Sequence, residues 1–351
     1  MRLLLLPFAW IYQLVLFFRH FLFDMGIIKS TTFDIPVICV GNLSFGGTGK
    51  TPHIEYLIRL LSNDYKTAVL SRGYGRSSKG FLLAKQGVTY RDIGDEPMQY
   101  FHKFNNISVA VDEKRVRGIQ KLKAFENPPK LILLDDAFQH RRVKAGLNVL
   151  LTDFHNMYPN DYLFPSGRLR DTVSAAKRAD IIIVTKTPPV LSPFTHRRIK
   201  EIINPKPHQS LYFSLIKYGN LTPLGEQNQI AMPRKTSSIV LFCGIANPYP
   251  LQDFLKTRCT NLITVDFPDH HVFSKKDMQS VVNEYERILG RNKIIVTTEK
   301  DAMRLIDSPY FRLFKNIPLF YVPIEIKFHE TEELKYDKQV LEYVRKARKD
   351  S

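Results

Sequence analysis

The sequence predicts an α/β fold, a parallel sheet with helices on both faces, and two observations carry that prediction. Short apolar runs alternate with longer amphipathic stretches along most of the chain. One of those runs, at 35–52, passes through a glycine-rich turn straight into a helical pattern. This order favours strands buried on both faces and joined by helices, because each apolar face must find a covering layer.

The elements follow in order. Ile35–Val40, Thr67–Leu70, Ile107–Val111, Leu131–Leu134, Val149–Thr152 and Ile181–Val184 read as buried strands. His53–Ser62 and Lys114–Phe125 between them read as helices. A second, smaller block begins near Ser238, with strands at Ile239–Cys243, Leu262–Val265 and Ile294–Thr297. A helix from Pro250 and another at Lys275–Leu289 alternate with these strands. The alternating runs Leu211–Ile216 and Leu319–Ile326 bracket the block. They are expected to pair as a two-stranded linker through which the chain enters and leaves it.

The expected organisation is therefore a first α/β/α domain over 29–210 and a smaller α/β domain over 225–318. The linker occupies 211–224 and 319–328, and a basic tail over 329–351 packs on the first domain. Within that tail Val344–Lys349 reads as a solvated helix end.

Residues 1–28 stand apart. Leu3–Phe18 is almost wholly apolar, and Arg19 and His20 follow it. Sixteen helical residues reach about 24 Å, short of the roughly 30 Å hydrocarbon core of a bilayer. No small-residue cleavage site follows, which argues against a secretory signal, and Pro7 and Gln13 interrupt the run, which argues against a spanning anchor. Trp10, Tyr12 and the flanking Arg2 and Arg19 suit a helix lying in the interface of one leaflet. A formal charge of +17 asks for an acidic partner: nucleic acid, an anionic membrane or a phosphorylated substrate. Cys39, Cys243 and Cys259 show no short paired spacing and read as reduced thiols, without a disulfide framework or a zinc site.

Chemistry concentrates in four places. In IPVICVGNLSFGGTGKTP (35–52), backbone N–H groups of the loop Ser44, Phe45, Gly46, Gly47, Thr48 and Gly49 are placed to cradle phosphates at a helix N-terminus. Lys50 supplies a point charge and the Thr51 hydroxyl a metal ligand. The strict pattern wants Gly where this chain has Ser44. Second, LILLDD ends an apolar strand in Asp135 and Asp136, which can hold Mg²⁺ beside Thr51. Sequence alone does not separate the two. Third, Gly94-Asp95-Glu96-Pro97 places two carboxylates before a helical run, either as a cap or as the group that orients an attacking hydroxyl. Fourth, Asp269-His270-His271 lies in a loop of the second block.

Taken together, these stretches resemble the tetraacyldisaccharide 4′-kinase (lipid A 4′-kinase) family. The resemblance also includes LSRGYGR (70–76), LDDAFQHR (134–141), FPSGRLRD (164–171), FPDHH (267–271) and TTEKDAMRL (297–305). Ser44 fits the family's own version of the loop. Ala137 departs from it, because the family usually has Gly there, and a methyl is tolerable if φ is negative.

The resemblance implies a P-loop NTPase-type fold and transfer of the γ-phosphate of MgATP to the 4′-hydroxyl of a tetraacylated glucosamine disaccharide 1-phosphate. It implies Asp95 as catalytic base with His270 as its partner. It places Lys50, Thr51, Asp135 and Asp136 at the nucleotide and metal, with Glu96 assisting. Arg72, Arg115 and Arg170 fall near phosphate or substrate. The implied setting is the cytoplasmic face of the bacterial inner membrane, with the protein peripheral or monotopic and a monomer.

Two rivals come from other classes: a basic ATPase bound to nucleic acid, and a membrane-tethered nucleotide-binding protein without kinase activity. The first is disfavoured because Lys and Arg are scattered rather than striped with aromatics. Transfer dependent on Asp95 would exclude the second. A GTPase is excluded because Thr185-Lys186-Thr187 ends in Pro188 rather than the Asp that would read guanine.

Overall fold

A computed structural model describes residues 5–225, 236–269, 271–290 and 292–349. The chain divides into two compact units: 1–88, 100–216 and 326–351 form the first, and 89–99 and 217–325 the second. The expected first domain is thus interrupted. Residues 89–99, with Asp95 and Glu96, belong to the second unit, although sequence order placed them in the first. Sequence order could not reveal this, because the partners of the segment lie more than 200 residues away.

The first unit opens with α1 (Leu6–Asp24), β1 (Val37–Asn42), α2 (Lys50–Leu61), β2 (Thr67–Ser71) and the short β3 (Leu82–Leu83). The chain then passes through α3 (Tyr90–Ile93) and the start of α4 (Asp95–Lys103), which belong to the second unit, and returns to the first at residue 100, where β4 (Ile107–Val111), α5 (Arg115–Lys123), β5 (Leu131–Asp135) and β6 (Leu147–Asp153) follow. β7 (Ile181–Thr185), α6 (Pro193–Ile203) and β8 (Ser210–Tyr218) lead out of it. The second unit holds β9 (Thr222–Pro223), β10 (Ser238–Cys243), α7 (Tyr249–Lys256), β11 (Asn261–Asp266) and α8 (Lys275–Arg287). It continues through β12 (Lys293–Thr298), α9 (Glu299–Ile306) and β13 (Leu319–Val322); β14 (Ile324–Phe328) and α10 (Glu332–Lys349) close the chain.

Nine strands form one sheet in the order β14-β8-β7-β6-β1-β5-β2-β4-β3. β1 lies between β5 and β6, parallel to both, with Val40 opposite Asp135. That register carries the acid pair to the strand end from which the glycine-rich loop leaves. The central strands β1, β2, β5 and β7 are buried along their length, so their apolar runs need covering on both faces. Leu70, Ile132, Leu134 and Ile182 lie at the centre of the resulting core.

The five-stranded sheet runs β11-β10-β12-β13-β9 and is parallel except at β9. Alternate residues of β10 feed two separate cores, Val240 and Phe242 on one face, Ile239 and Leu241 on the other. This is the period-two pattern of a strand covered on both sides.

The expected linker is divided. β8 and β14 are neighbours at the edge of the nine-stranded sheet, whereas β9 and β13 belong to the five-stranded one. Pro323 marks the division between β13 and β14: it has no N–H to donate, so a ladder cannot continue through it. The C-terminal segment is one helix, with Tyr336, Val340 and Val344 buried and its basic end exposed. The Tyr343 hydroxyl donates to the Val37 carbonyl at 3.1 Å, fixing α10 to the first unit.

Candidate active site

The glycine-rich loop connects β1 to α2, and its shape has identifiable causes. Gly49 is the N-cap of α2 with φ +83°, a conformation that a side chain would resist. A Cβ at Gly41 would fall 2.6 Å from that of Phe138, so the close approach of the 138 loop to β1 requires glycine. Ser44 needs no left-handed backbone: its φ is not positive, and it bridges to Leu169. The Phe45 N–H donates to the Arg168 carbonyl at 2.7 Å, and the Arg170 N–H to the Leu43 carbonyl at 2.7 Å. FPSGRLRD therefore forms the outer wall of the loop. Inside it, the Asn42 amide donates to the Thr48 hydroxyl at 2.9 Å, and the Thr185 hydroxyl to the Thr48 carbonyl at 3.0 Å.

Asp136 is the electrostatic centre. Its φ is +46°, in the left-handed region, while that of Ala137 is not positive, so the methyl at 137 is accommodated. Arg170 grips both Asp136 oxygens, with Nη1 to Oδ2 at 2.9 Å, and Nη2 also reaches Asn42 Oδ1. Lys50 Nζ stands 3.9 Å from Asp136 Oδ1. Burial raises the Asp136 pKa, but Lys50, Arg170 and Arg115 outweigh it and hold the carboxyl below its usual range. Arg115 is 2% exposed and donates to the Asp112 carbonyl at 2.6 Å. Burial lowers its pKa to about 10 against the pull of Asp135 and Asp136, and the guanidinium stays charged at neutral pH.

The first unit thus brings together Lys50, Asp135, Asp136, Arg115 and Arg170. Thr51 sits beside Lys50 in the first turn of α2, and Arg72 is exposed just beyond the end of β2. Asp135, Asp136 and the Thr51 hydroxyl offer hard oxygen donors. Among the described residues no cluster of three or more His, Cys, Asp or Glu forms a dedicated metal cage. This donor set fits Mg²⁺, which keeps several waters and takes one or two carboxylates with the nucleotide phosphates.

Three residues of this region escaped sequence reasoning. Asn42 and Gln139 are joined by a 2.7 Å bond from the Gln139 amide to the Asn42 carbonyl. His53 is fully buried in α2, where its Nδ1–H donates to the Gly49 carbonyl at 2.7 Å. Its Nε2 accepts from the Ser214 hydroxyl at 3.1 Å. Burial drives its pKa down to about 4, so it is neutral. Asn42 and Gln139 lie inside quoted motifs, and that was their only signal; His53 merely continued a helix pattern.

The second unit holds the other predicted groups. Asp95 and Glu96 begin α4, and Arg304 of α9 donates to Asp95 through Nε at 2.8 Å and through Nη2. His270 lies outside the described residues. His271 is a structural partner: its Nε2 bonds Asp277 Oδ2 at 2.9 Å beside the cap of α8, and its ring stacks on Phe267.

α1 is attached to the segments that carry Arg170 and Gln139 by its polar residues. The Tyr12 hydroxyl donates to the Arg170 carbonyl at 2.9 Å, Arg19 to the Gln139 carbonyl at 2.6 Å, and His20 bonds Asp171 at 2.6 Å. Its other face leaves Phe8, Trp10, Ile11, Leu14, Val15 and Phe18 more than half exposed. A cleft of about 560 Å³ separates α1 from the 161–174 segment, lined by Trp10, Phe17, Phe21, Leu163 and Val173 among others.

A β-strand, a glycine loop, a lysine at a helix N-terminus and paired acids on the adjacent strand define a nucleotide-binding α/β protein of the P-loop type. The comparisons with known proteins carry this further. The model of the LpxK family, tetraacyldisaccharide-1-P 4′-kinase, matches residues 1–344. A Bacteroides thetaiotaomicron protein named tetraacyldisaccharide 4′-kinase is 44% identical over 99% of this chain and 94% of its own length. One of the same name from Flavobacterium johnsoniae is 44% identical over 98% of each chain. The crystal structure of LpxK from Aquifex aeolicus in complex with ATP aligns with a TM-score of 0.72 at 27% identity, covering 98% of this chain and 99% of that one. The chain belongs to the tetraacyldisaccharide-1-P 4′-kinase family.

Proposed function

We propose that the protein transfers the γ-phosphate of MgATP to the 4′-hydroxyl of a tetraacylated glucosamine disaccharide 1-phosphate at an anionic membrane surface. The observation that carries this is the convergence of the Gly49–Lys50 helix start with Asp136 and Arg170 at one end of the nine-stranded sheet.

Phosphoryl transfer is mainly positioning and charge stabilisation. Loop amides and Lys50 hold the phosphates. Asp135, Asp136 and Thr51 would hold Mg²⁺, which would supply positive charge beside the phosphate oxygens. Arg170 is held on its carboxylate by Asn42, so it meets incoming phosphate already oriented. Arg115 is a buried cation facing the acid pair. Asp95 is the carboxylate that orients the attacking hydroxyl and accepts its proton, with His270 as its assigned partner. Arg72, Glu96 and the loop residues keep the roles that the family resemblance gave them.

The setting follows from the substrate. Four acyl chains leave a bilayer only at about 0.8 kcal/mol per CH₂, so the enzyme must come to the lipid. The exposed aromatic face of α1 and the apolar cleft behind it support an interfacial position on the cytoplasmic side, and the charge of +17 suits anionic lipid.

The test is incubation of the full chain with γ-labelled ATP and a panel of glycolipids in detergent micelles. Label should appear in the acylated disaccharide 1-phosphate and vanish with Lys50→Ala. Labelled phosphate released without labelled lipid, or stimulation by DNA, would overturn the reading.

A further inference from the structure

TTEKDAMRL has no role in the reaction as described so far, yet it contains the partner of Asp95. Arg304 is 4% exposed, and its Nε and Nη2 both reach Asp95 Oδ2, with Nε at 2.8 Å. Its third nitrogen, Nη1, donates to Asp301 Oδ1 at 3.1 Å. Asp301 is fully buried and fixed in turn: its Oδ2 accepts from the Gly244 N–H at 2.9 Å and from the Thr298 hydroxyl at 2.7 Å.

The chain of bonds runs from the C-terminal ends of β10 and β12, through the first turn of α9, to the start of α4. Open parallel sheets present their functional groups at these strand ends. Asp269, in the loop after β11, adds its charge to the field on Arg304, and Lys300 stands 3.8 Å from Asp269.

Two features separate this arrangement from an ordinary structural ion pair. Buried charge pairs contribute little net stability against apolar replacements, so stability alone is a weak reason to bury Arg304 between two acids. A guanidinium is also a rigid planar fork. With one edge fixed by Asp301, it sets the direction of Asp95 as well as its charge.

We propose that Arg304 is the positioning residue of the Asp95 carboxylate, with Asp301 as its anchor. The proposal rests on the reading of Asp95 as the carboxylate of the reaction. Arg304 acts through Asp95 and not on substrate. The carboxylate comes to the attacking hydroxyl already oriented, and the loop and Mg²⁺ ligands of the first unit are not needed for that orientation.

The experiment compares the full-length wild type, Arg304→Gln, Arg304→Lys, Asp95→Asn and the Asp95→Asn/Arg304→Gln double variant. It records kcat, KM for ATP and melting temperature. Arg304→Gln should lose about 10²-fold in kcat, the scale of a misplaced catalytic group, with KM for ATP within about twofold of wild type. Arg304→Lys keeps the charge and loses the fork, and should recover part of that loss. The double variant should fall within about threefold of Asp95→Asn alone, because residues acting as a unit are non-additive.

A kcat for Arg304→Gln within about twofold of wild type, or losses that multiply in the double variant, would overturn the proposal. If Arg304→Gln does not fold, Arg304→Lys decides: a native melting temperature with wild-type kcat sinks it, and a native melting temperature with depressed kcat sustains it. An active Asp95→Asn enzyme would instead overturn the reading of Asp95 itself.

Discussion

Each unit contains an aspartate held by an arginine, and the two pairs differ in what surrounds them. Asp136–Arg170 is partly exposed, with Lys50 and Arg115 close by, and Asp136 sits on a left-handed backbone. Asp95–Arg304 is more deeply buried on the arginine side, and its arginine is shared with a second, fully buried acid. The first pair has cations on several sides and suits a site in which phosphates and Mg²⁺ rearrange the partners. The second is braced from behind and suits a carboxylate whose direction must not change. On the proposed reading, the same two residue types serve a ligand site in one unit and a fixed orientation in the other, and the third neighbour decides which.

The largest effects should break the first region. Lys50→Ala or Asp136→Asn should each cost about 10³-fold or more in transfer, since positioned charge is the main source of phosphoryl-transfer rate. Near-normal turnover in labelled-ATP assays would remove the loop from the reaction. Asp95→Asn comes next, at about 10²–10⁴-fold in kcat. Binding of a fluorescent ATP analogue should stay close to wild type, and a matching loss of nucleotide affinity would blur the distinction between the two regions.

Smaller effects sharpen the contrast through α1. Deleting residues 1–24 would remove the exposed apolar face and also the bonds of Tyr12, Arg19 and His20 to the segments that carry Arg170 and Gln139. Such a deletion therefore mixes membrane binding with catalysis. A Leu14→Glu/Phe18→Glu variant touches only the exposed face, and should keep activity on micellar substrate while losing flotation with anionic liposomes. Unchanged flotation would refute the interfacial helix.

The smallest effect concerns His53. Its folded pKa, near 4, lies below the usual histidine value, so the unfolded chain binds its proton first as pH falls. Above the unfolded value near 6.5 it has no influence on stability. Between there and about 4 it should cost stability progressively, on the order of 1–3 kcal/mol in all. Melting curves from pH 7 to 4.5 should show a shallower decline for His53→Gln than for wild type, and parallel curves would contradict the assignment.

The sequence by itself determined the strands, most of the helices and the phosphate loop, because those signals are local. A buried strand must be apolar along its length, and a phosphate cradle needs glycine, lysine and a helix start in adjacent positions. It also located Asp135, Asp136, Asp95 and Arg170 as residues of interest, through motifs. Only the tertiary structure decided their partners. Asp95 meets Arg304 across 209 positions and joins the second unit, and Tyr12 reaches the Arg170 carbonyl across 158. Pro323 divides the expected linker between two sheets, although either side of it reads as strand. Asn42 acts through a backbone carbonyl and a side chain that no pattern announces. Hydrogen bonds and ion pairs between distant segments leave no periodicity in the chain, because their geometry exists only after the sheets have formed and brought the strand ends together.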